Sequence, residues 1–335
     1  MNLNKGFTSR YYMKQIDPGT WRDVLTFEIT GGTISRSEGD LMEAADIDAT
    51  DMPGNDSWVR IYLDARQEDG GMHEALFTGL MSAPEDKWDG RRNTHHAECY
   101  SVLKPAADIL MPLGWYAPAG TEGARLAAKL IAVGPAPVIY EDGSPTLASH
   151  IVAEGGESNL TMAKKILQAI GWRVRITGTG EVHICPEATE PSQSFDSLDN
   201  DCIEMTVTDS RDWFNCPNVF RAVSGDLVAI AKDEDPESPL STVSRGREIW
   251  MEESSCNLNA NETIADYARR RLKEEQMPAR HLSYGRRYKR DFYIGDLARI
   301  HYPAQGIDGV FKITSQNISL GYGARTSEEA EYYGS

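Results

Sequence analysis

No apolar run in this chain approaches the roughly 18 residues that a bilayer-spanning helix needs, so no helical membrane span is expected. The opening MNLNKGFTSRYYMK lacks the apolar core of a signal peptide, and the expectation is synthesis and retention in the cytoplasm. Cysteine is sparse: Cys99, Cys185, Cys202, Cys216 and Cys256 are five dispersed residues without a C-x-x-C pair. That odd, scattered count argues for reduced thiols, against a disulfide framework, and against a zinc knuckle. Basic residues are the minority, 34 Lys and Arg against 51 Asp and Glu, for a formal net charge of -17. A surface this acidic repels nucleic acid and anionic membrane, which argues against sequence-specific DNA binding but lets a polyanion pass without adhering.

Signatures of chemistry are missing too. No Gly-x-Ser-x-Gly elbow, Walker loop, dinucleotide fingerprint or His-Glu-x-x-His helix occurs. His95, His96 and Cys99 are zinc-ligand types, but on a strand the two histidines face opposite sides, and a fourth ligand has no source. Asp46, Asp48 and Asp51 resemble a calcium loop in charge only, because its glycine and distal bidentate glutamate are absent; a solvated acidic loop is the simpler reading. Gly178 and Gly180 are explained by a tight hairpin turn. Carboxylates are so plentiful that no pair is singled out as acid and base. The expectation is a chain without cofactor, metal or enzymatic activity.

What is present is a globular composition, 40% hydrophobic and 25% charged with a mean hydropathy of -0.46, over 335 residues. That length buries a sizeable core and suits about two domains with a smaller insert. The clearest stretch is the terminal RYKRDFYIGDLARIHYPAQGIDGVFKITSQNISL, where residues 292–294, 297–302 and 310–320 read as a β-meander punctuated by Gly, Asp and Pro turns. Phe311 and Ile313 share one face, but Ile318 and Leu320 have the opposite parity. The spacing therefore predicts a bulge near residues 315–317, a device that bends strands where a sheet curls into a barrel.

Upstream, WRDVLTFEI at 21–29 alternates with Leu25, Phe27 and Ile29 inward and Val24, Thr26 and Glu28 outward, until Gly31 and Gly32 break or bulge the strand. SWVRIYLDA at 57–65 places Val59, Ile61, Leu63 and Ala65 on one face. Runs at 75–81 and 95–103 complete a small antiparallel barrel or curled sheet, and the acidic stretch 38–56 reads as a loop. From Lys104 the pattern changes to a helical turn at 105–110 and a helix over 121–133, capped by Thr121 and followed by Gly134. A stronger helix over 158–170 aligns Leu160, Ala163, Ile166, Leu167 and Ile170, and a hairpin follows with Val174, Ile176, Val182 and Ile184 as its apolar set. Residues 188–199 read as a linker; strands resume at 203–207 and 218–231, and an acidic loop fills 233–239. A helix over 261–276, capped by Asn261, buries Ile264, Ala265, Ala268 and Leu272. The expected fold class is mainly β with an α+β insert. It comprises a first β-barrel at 1–117, a helix-and-hairpin module at 118–190, and a second β-barrel with one helix at 191–335.

One feature contrasts with the acidic background. Arg269, Arg270, Arg271, Lys273, Arg280, Arg286, Arg287, Lys289 and Arg290 crowd into a short region. They make either a solvated face balanced by Glu274, Glu275 and nearby acids, or a contact patch for an acidic surface on a neighbouring copy.

Specific stretches carry a resemblance. In order, NCPNVFRAVSGDLVAIAKDEDPESPLSTVSRGREIW, ETIADYARRRLKEE, RRYKRDFYIGDLARIHYP and GVFKITSQNISLGYGARTSEEA resemble the second half of phage tail baseplate hub proteins. The likeness is in particular to hubs of Gram-positive contractile-tailed phages and related prophages. ESNLTMAKKILQAIGWRVRI, TFEITGGTISRSEGDLMEAADI and RIYLDA are similar to the same proteins, so the resemblance spans most of the chain. No C-terminal extension of lysozyme or peptidase character is present, and a cell-wall-degrading role is not expected.

The resemblance implies a homotrimer in which each chain supplies two tube-like β-barrels, giving a pseudo-sixfold ring that adapts the sixfold tail tube to the threefold spike. It implies the tail tube protein, the spike protein and other baseplate proteins as partners, with DNA only as passing cargo. Assembly in the host bacterial cytoplasm and residence in the virion tail follow from the same likeness. On this view part of the negative charge lines the lumen, and the basic cluster faces a neighbouring subunit or tail protein. Two other readings stay open: a virion-borne carbohydrate-binding β protein and a tail-associated hydrolase. The first needs an exposed aromatic platform, for which Trp58 and Tyr62 on one strand face are the candidates; their alternative role is packing beneath the insert.

Overall fold

Apolar–polar alternation in the first third of the chain becomes seven strands: β1 (Thr8–Asp17), β2 (Arg22–Ser37), β3 (Glu43–Ala49), β4 (Trp58–Gln67), β5 (Gly70–Met81), β6 (Glu85–Trp88) and β7 (Asn93–Ser101). The structure is a computed structural model that describes residues 6–334 except 40, 69, 89, 91–92, 197–206, 212, 255, 257, 259–261 and 277–279. Pairing runs β1-β4-β5-β7-β3-β2, antiparallel throughout, and β2 returns to β1. Six strands therefore close a barrel and remove its sheet edges. Met13, Ile34, Ile47, Val59, Ile61, Leu63 and Phe77 fill it, with Val59, Ile61, Leu63 and Ala65 facing inward as their alternation requires.

Two local expectations change here. The acidic stretch contains β3, in which Ala45, Ile47 and Ala49 point inward while Asp46 and Asp48 point out. Leu25 is exposed rather than inward: residues 22–28 of β2 pair with β1 alone, and the strand reaches the barrel core only from Phe27, which packs against it. At the glycine pair the strand bulges and continues: its register against β3 shifts between Ile29 and Gly31. Gly32 has φ +144°, and a Cβ there would stand 2.2 Å from the Asp46 carbonyl oxygen.

The next segment packs three helices with two small sheets. It comprises α1 (Lys104–Asp108), β8 (Tyr116–Ala117), α2 (Gly123–Ile131), β9 (Val138–Tyr140), β10 (Ile151–Val152), α3 (Asn159–Ala169), β11 (Trp172–Ile176) and β12 (Val182–Pro186), and the sheets are β10-β8 and β11-β12-β9. Ser158 caps α3, its Oγ accepting from the Thr161 amide at 3.1 Å. Thr121 does not cap α2; Glu122 holds the N-cap position, and the Ala124 amide donates to Ser144 Oγ across the module at 3.1 Å. Leu160, Ala163, Ile166, Leu167, Val174, Ile176, Val182 and Ile184 are buried as their periodicity predicts.

After residue 188 the expected linker is a strand, β13 (Pro191–Asp196), which runs parallel to β19 (Leu297–Tyr302). The expected strand at 203–207 lies outside the described residues except for Val207, where β14 (Val207–Arg211) begins. A separate three-stranded sheet follows, β16-β15-β17, from β15 (Val219–Ser224), β16 (Leu227–Lys232) and β17 (Trp250–Ser254), with α4 (Thr242–Arg245) between the last two. One face of it is covered by α5 (Ile264–Gln276) through Tyr267, Ala268 and Leu272. Asn261 lies outside the described residues; Thr263 Oγ1 accepts from the Asp266 amide at 3.1 Å and does the capping. Ala265 is exposed, and Tyr267 takes its place in the buried stripe.

The terminal strands are β18 (Arg280–Arg287), β19, β20 (Ile307–Ser319) and β21 (Arg325–Gly334). With β13 and β14 they form a sheet ordered β13-β19-β20-β21-β18-β14, curled so that Phe195 of β13 and Val207 of β14 meet one core with Phe292, Ile300, Phe311 and Ile313. Residues 292–294 are not a strand. They form a turn in which Asp296 accepts the Tyr293 amide at 3.0 Å, leaving Phe292, Tyr293 and Ile294 buried as side-chain plugs. The bulge in β20 falls between Ile313 and Ser315, just ahead of the expected site. Beyond it, Ser315–Ser319 pairs with Thr33–Ser37 of β2, so one 13-stranded sheet runs through both curled halves. Among the described residues no helix is long and apolar enough to cross a membrane.

Candidate assembly interface

The basic cluster divides between two places. On α5, Arg270 donates to Glu262 (2.7 Å) and Glu274 (2.8 Å), and Arg271 donates to Glu253 (3.1 Å), Glu274 (2.8 Å) and Glu275 (2.8 Å). Arg269 bonds Asp266 at 2.9 Å yet leaves 69% of its side chain exposed, and Lys273 is exposed. The rest lie on β18 and the loop after it. Arg280 holds Asp209 through two bonds of 2.9 and 3.0 Å, tying β18 to β14. Arg287 donates to the Gly323 carbonyl at 2.7 Å, Lys289 is half-buried, and Arg290 reaches Glu74 at 2.8 Å while staying largely exposed. Arg286 is interior. At 3% exposure it cannot belong to a surface patch, because its guanidinium is committed to Glu328.

That pair opens onto a buried polar seam where the two curled halves and the insert meet. Arg286 Nε donates to Glu328 at 2.7 Å and Nη2 makes a second bond to the same carboxylate. Gln316 Nε2 donates to Glu328 at 2.6 Å and to the Phe292 carbonyl at 3.2 Å, while its Oε1 accepts from Arg36 Nη1 at 3.3 Å. Arg36 also donates to the Leu76 carbonyl and lies 3.4 Å from Glu43. Burial pushes the Glu43 carboxyl up to about 7, against the opposing pull of Arg36. From the insert, Arg173 donates to Asp296 at 2.7 Å, and the Arg175 guanidinium lies over the Tyr293 ring, 4.8 Å from its centroid.

The hairpin tip of the insert fastens to the first barrel nearby. Thr78 Oγ1 donates to the Gly178 carbonyl at 2.7 Å, and Arg60 Nη2 donates to the Thr179 carbonyl at 2.8 Å. Turn geometry does not explain Gly178: a Cβ there would meet the Ala75 carbonyl oxygen at 1.7 Å, so close approach demands glycine. Trp58 is buried in the core that the insert shares, edge-on to Trp21 at 5.4 Å. Tyr62 is buried too, stacked on Tyr12 and donating to Asp23 at 2.7 Å. Neither is an exposed platform.

The remaining candidates do not converge. His95 bonds Asp86 at 2.6 Å, His96 bonds Asp48 at 3.0 Å, and Cys99 points into the barrel, where burial raises its thiol. Asp46 and Asp48 are outward strand residues. Among the described residues no group of three His, Cys, Asp or Glu side chains is placed to hold a metal ion. A cleft of about 260 Å³ lies between the insert and β20, lined by Lys164, Trp172, Arg173, Ile294 and Lys312. Its cations are spoken for: Lys312 bonds Glu38 at 2.6 Å, Lys164 donates to the Gly39 carbonyl at 2.7 Å, and Arg173 holds Asp296. The seam residues Arg36, Glu43, Gln316 and Glu328 were not singled out by motif. Their signal is parity: each polar or charged side chain falls where strand alternation calls for an apolar one.

No protein-family model matches the chain, and no curated protein matches it in sequence. Solved structures do match in fold. The 43 kDa tail protein of prophage MuSo2 from Shewanella oneidensis superposes with a TM-score of 0.68 at 16% identity, over 96% of this chain and 98% of that one. A tail protein from Neisseria meningitidis MC58 gives 0.70 at 14% identity, over 97% and 96%. An E. coli component of the type VI secretion system, described as similar to the T4 bacteriophage tail proteins gp27 and gp5, gives 0.51 at 8% identity over 98% and 74%. The fold is therefore that of phage tail proteins, mainly β and matched end to end.

Proposed function

We propose that this chain is a structural hub of a phage tail or phage-tail-like baseplate, whose copies close into a ring that joins the tail tube to the central spike and lets DNA pass. The observation that carries this reading is the pair of curled six-stranded sheets joined through β2 and β20, in a fold that covers two solved tail proteins over 98% and 96% of their chains. Two such units in each of three copies would present six to a sixfold tube and three to a spike. The charge supports the passage of DNA, since a chain with a formal net charge of -17 has little tendency to retain phosphate. The tube protein, the spike protein and other baseplate proteins are the partners under this reading, and the role is structural, without cofactor or enzymatic chemistry. Of the basic cluster, Arg269, Lys273 and Arg290 are the exposed members that would meet a neighbouring subunit.

Native mass spectrometry and particle imaging of the purified chain, alone and mixed with its tube and spike proteins, test the reading. Three copies around a central opening are expected. A chain that remains monomeric in the presence of both partners would refute it.

A further inference from the structure

Tyr293 is where three parts of the molecule touch. Arg36, from β2 of the first barrel, and Arg175, from β11 of the insert, both lie over its ring, 4.9 and 4.8 Å from the centroid. Beside them is a cavity of about 10 Å³ walled by Arg36, Glu43, Arg175 and Tyr293 with Met42 and Ile294. Three buried polar atoms of this wall have no hydrogen-bond partner among the described residues: Arg36 Nε, Glu43 Oε1 and Arg175 Nε. Both terminal nitrogens of Arg36 are occupied, by Gln316 and the Leu76 carbonyl, and Arg175 Nη2 by the Asp291 carbonyl. Arg36 Nε stands 3.4 Å from the other Glu43 oxygen, a contact too long and misaligned to count as a hydrogen bond. Buried polar groups in folded proteins are paired with protein or with ordered water, and leaving them bare is costly.

A single water requires about 10–15 Å³ of this kind of space and two to four polar partners. The cavity meets both conditions, and its two donors and one acceptor match what a water offers. A halide would be oversized and would face the Glu43 carboxylate. We propose that this cavity binds one structural water, which accepts from Arg36 Nε and Arg175 Nε and donates to Glu43 Oε1, and that this hydrated joint fastens the insert to the seam between the two curled sheets. The neighbouring 260 Å³ cleft shares Met42 and Ile294 with the cavity, so solvent stands one layer of side chains away.

A crystal structure of the full chain at a resolution that shows ordered water tests this directly. One density peak within about 3.2 Å of all three atoms is expected; a dry cavity would overturn the proposal. A bromide soak adds a second reading. An anomalous peak at the position would mark an anion site and overturn it as well. Glu43→Gln keeps an acceptor of the same size and should keep the peak, whereas Glu43→Leu removes it. Amide exchange in β11 should then be about tenfold faster in the Leu variant than in the Gln variant, with β4 and β5 unchanged. Equal exchange in the two variants would count against the joint. Should the Leu variant fail to fold, the wild-type crystal alone decides.

Discussion

Arg286→Met tests whether the buried seam holds the two curled sheets together. The substitution removes the guanidinium but keeps a stem able to cover Phe195 and Phe292, over whose rings Arg286 lies at 5.5 and 5.2 Å. Glu328, 1% exposed, is left with Gln316 as its side-chain donor at 2.6 Å. Breaking a buried ion pair from one side costs about 3–5 kcal/mol, because the other charge stays buried without compensation. At roughly 2–4 °C per kcal/mol for large domains, the melting temperature should fall by about 6–20 °C. Arg286→Met combined with Glu328→Leu removes the stranded charge and should recover at least half of the loss, although Gln316 then lacks its acceptor. Differential scanning calorimetry is the suitable assay, since a chain with several separate cores need not melt in one step, and the shift belongs to the transition of the shared sheet. A single variant within about 1 kcal/mol of wild type would refute the reasoning, as would a double variant no more stable than the single.

Glu43→Gln should stabilise the protein in a pH-dependent way. With its carboxyl raised from 4.5 to about 7 by burial, Glu43 costs nothing below about pH 4.5, progressively more up to 7, and its full amount above. The gain in the Gln variant should be about 3 kcal/mol at pH 8 and near zero at pH 4.5, read from thermal melts; an equal gain at both would contradict it. Gly178→Ala forces a methyl group against the Ala75 carbonyl oxygen and should cost about 1–3 kcal/mol, with faster proteolysis of the insert; a neutral effect would show the hairpin tip to be loosely seated. Joint reversal of the exposed Arg269, Lys273 and Arg290 to Glu should weaken ring assembly while circular dichroism stays native, and undiminished assembly would argue against the contact patch. Trp58→Ala should lower stability by about 3–5 kcal/mol, and the wild-type protein should give no signal on a glycan array; glycan binding lost in the variant would revive the carbohydrate reading.

Much of this fold was legible because alternation and capping act locally. The β19 strand, the inward row Val59, Ile61, Leu63 and Ala65, and the α3 stripe all follow from period and caps. The failures share a different cause. In β3 the inward positions are two alanines and one isoleucine, too small to outweigh the outward Asp46 and Asp48 in a composition reading. In β13 the residues are Pro-Ser-Gln-Ser-Phe-Asp, with Phe195 as the one apolar side chain, and the strand exists because β19, about a hundred residues away, offers an edge to pair with. Leu25 has the right parity and still faces solvent, since alternation assigns a side and not a neighbour.

The seam shows how such non-local information leaves a local trace. Arg36 follows Ile34 by two positions, Glu43 precedes Ala45 by two, Arg286 follows Tyr284 by two and Glu328 precedes Ala330 by two; all eight are buried. Each charge therefore occupies a position that faces a core, and a lone inward charge would destabilise the strand that carries it. Each charge finds its opposite on the neighbouring strand of its own half, Arg36 of β2 against Glu43 of β3 and Arg286 of β18 against Glu328 of β21, and Gln316 of β20 bonds both pairs, so the two compensated charge pairs meet at one joint. In a chain with so many carboxylates the acidic members are invisible by composition, but the basic members are not. Arg36 and Arg286 are the residues from which the meeting of the two sheets could have been inferred.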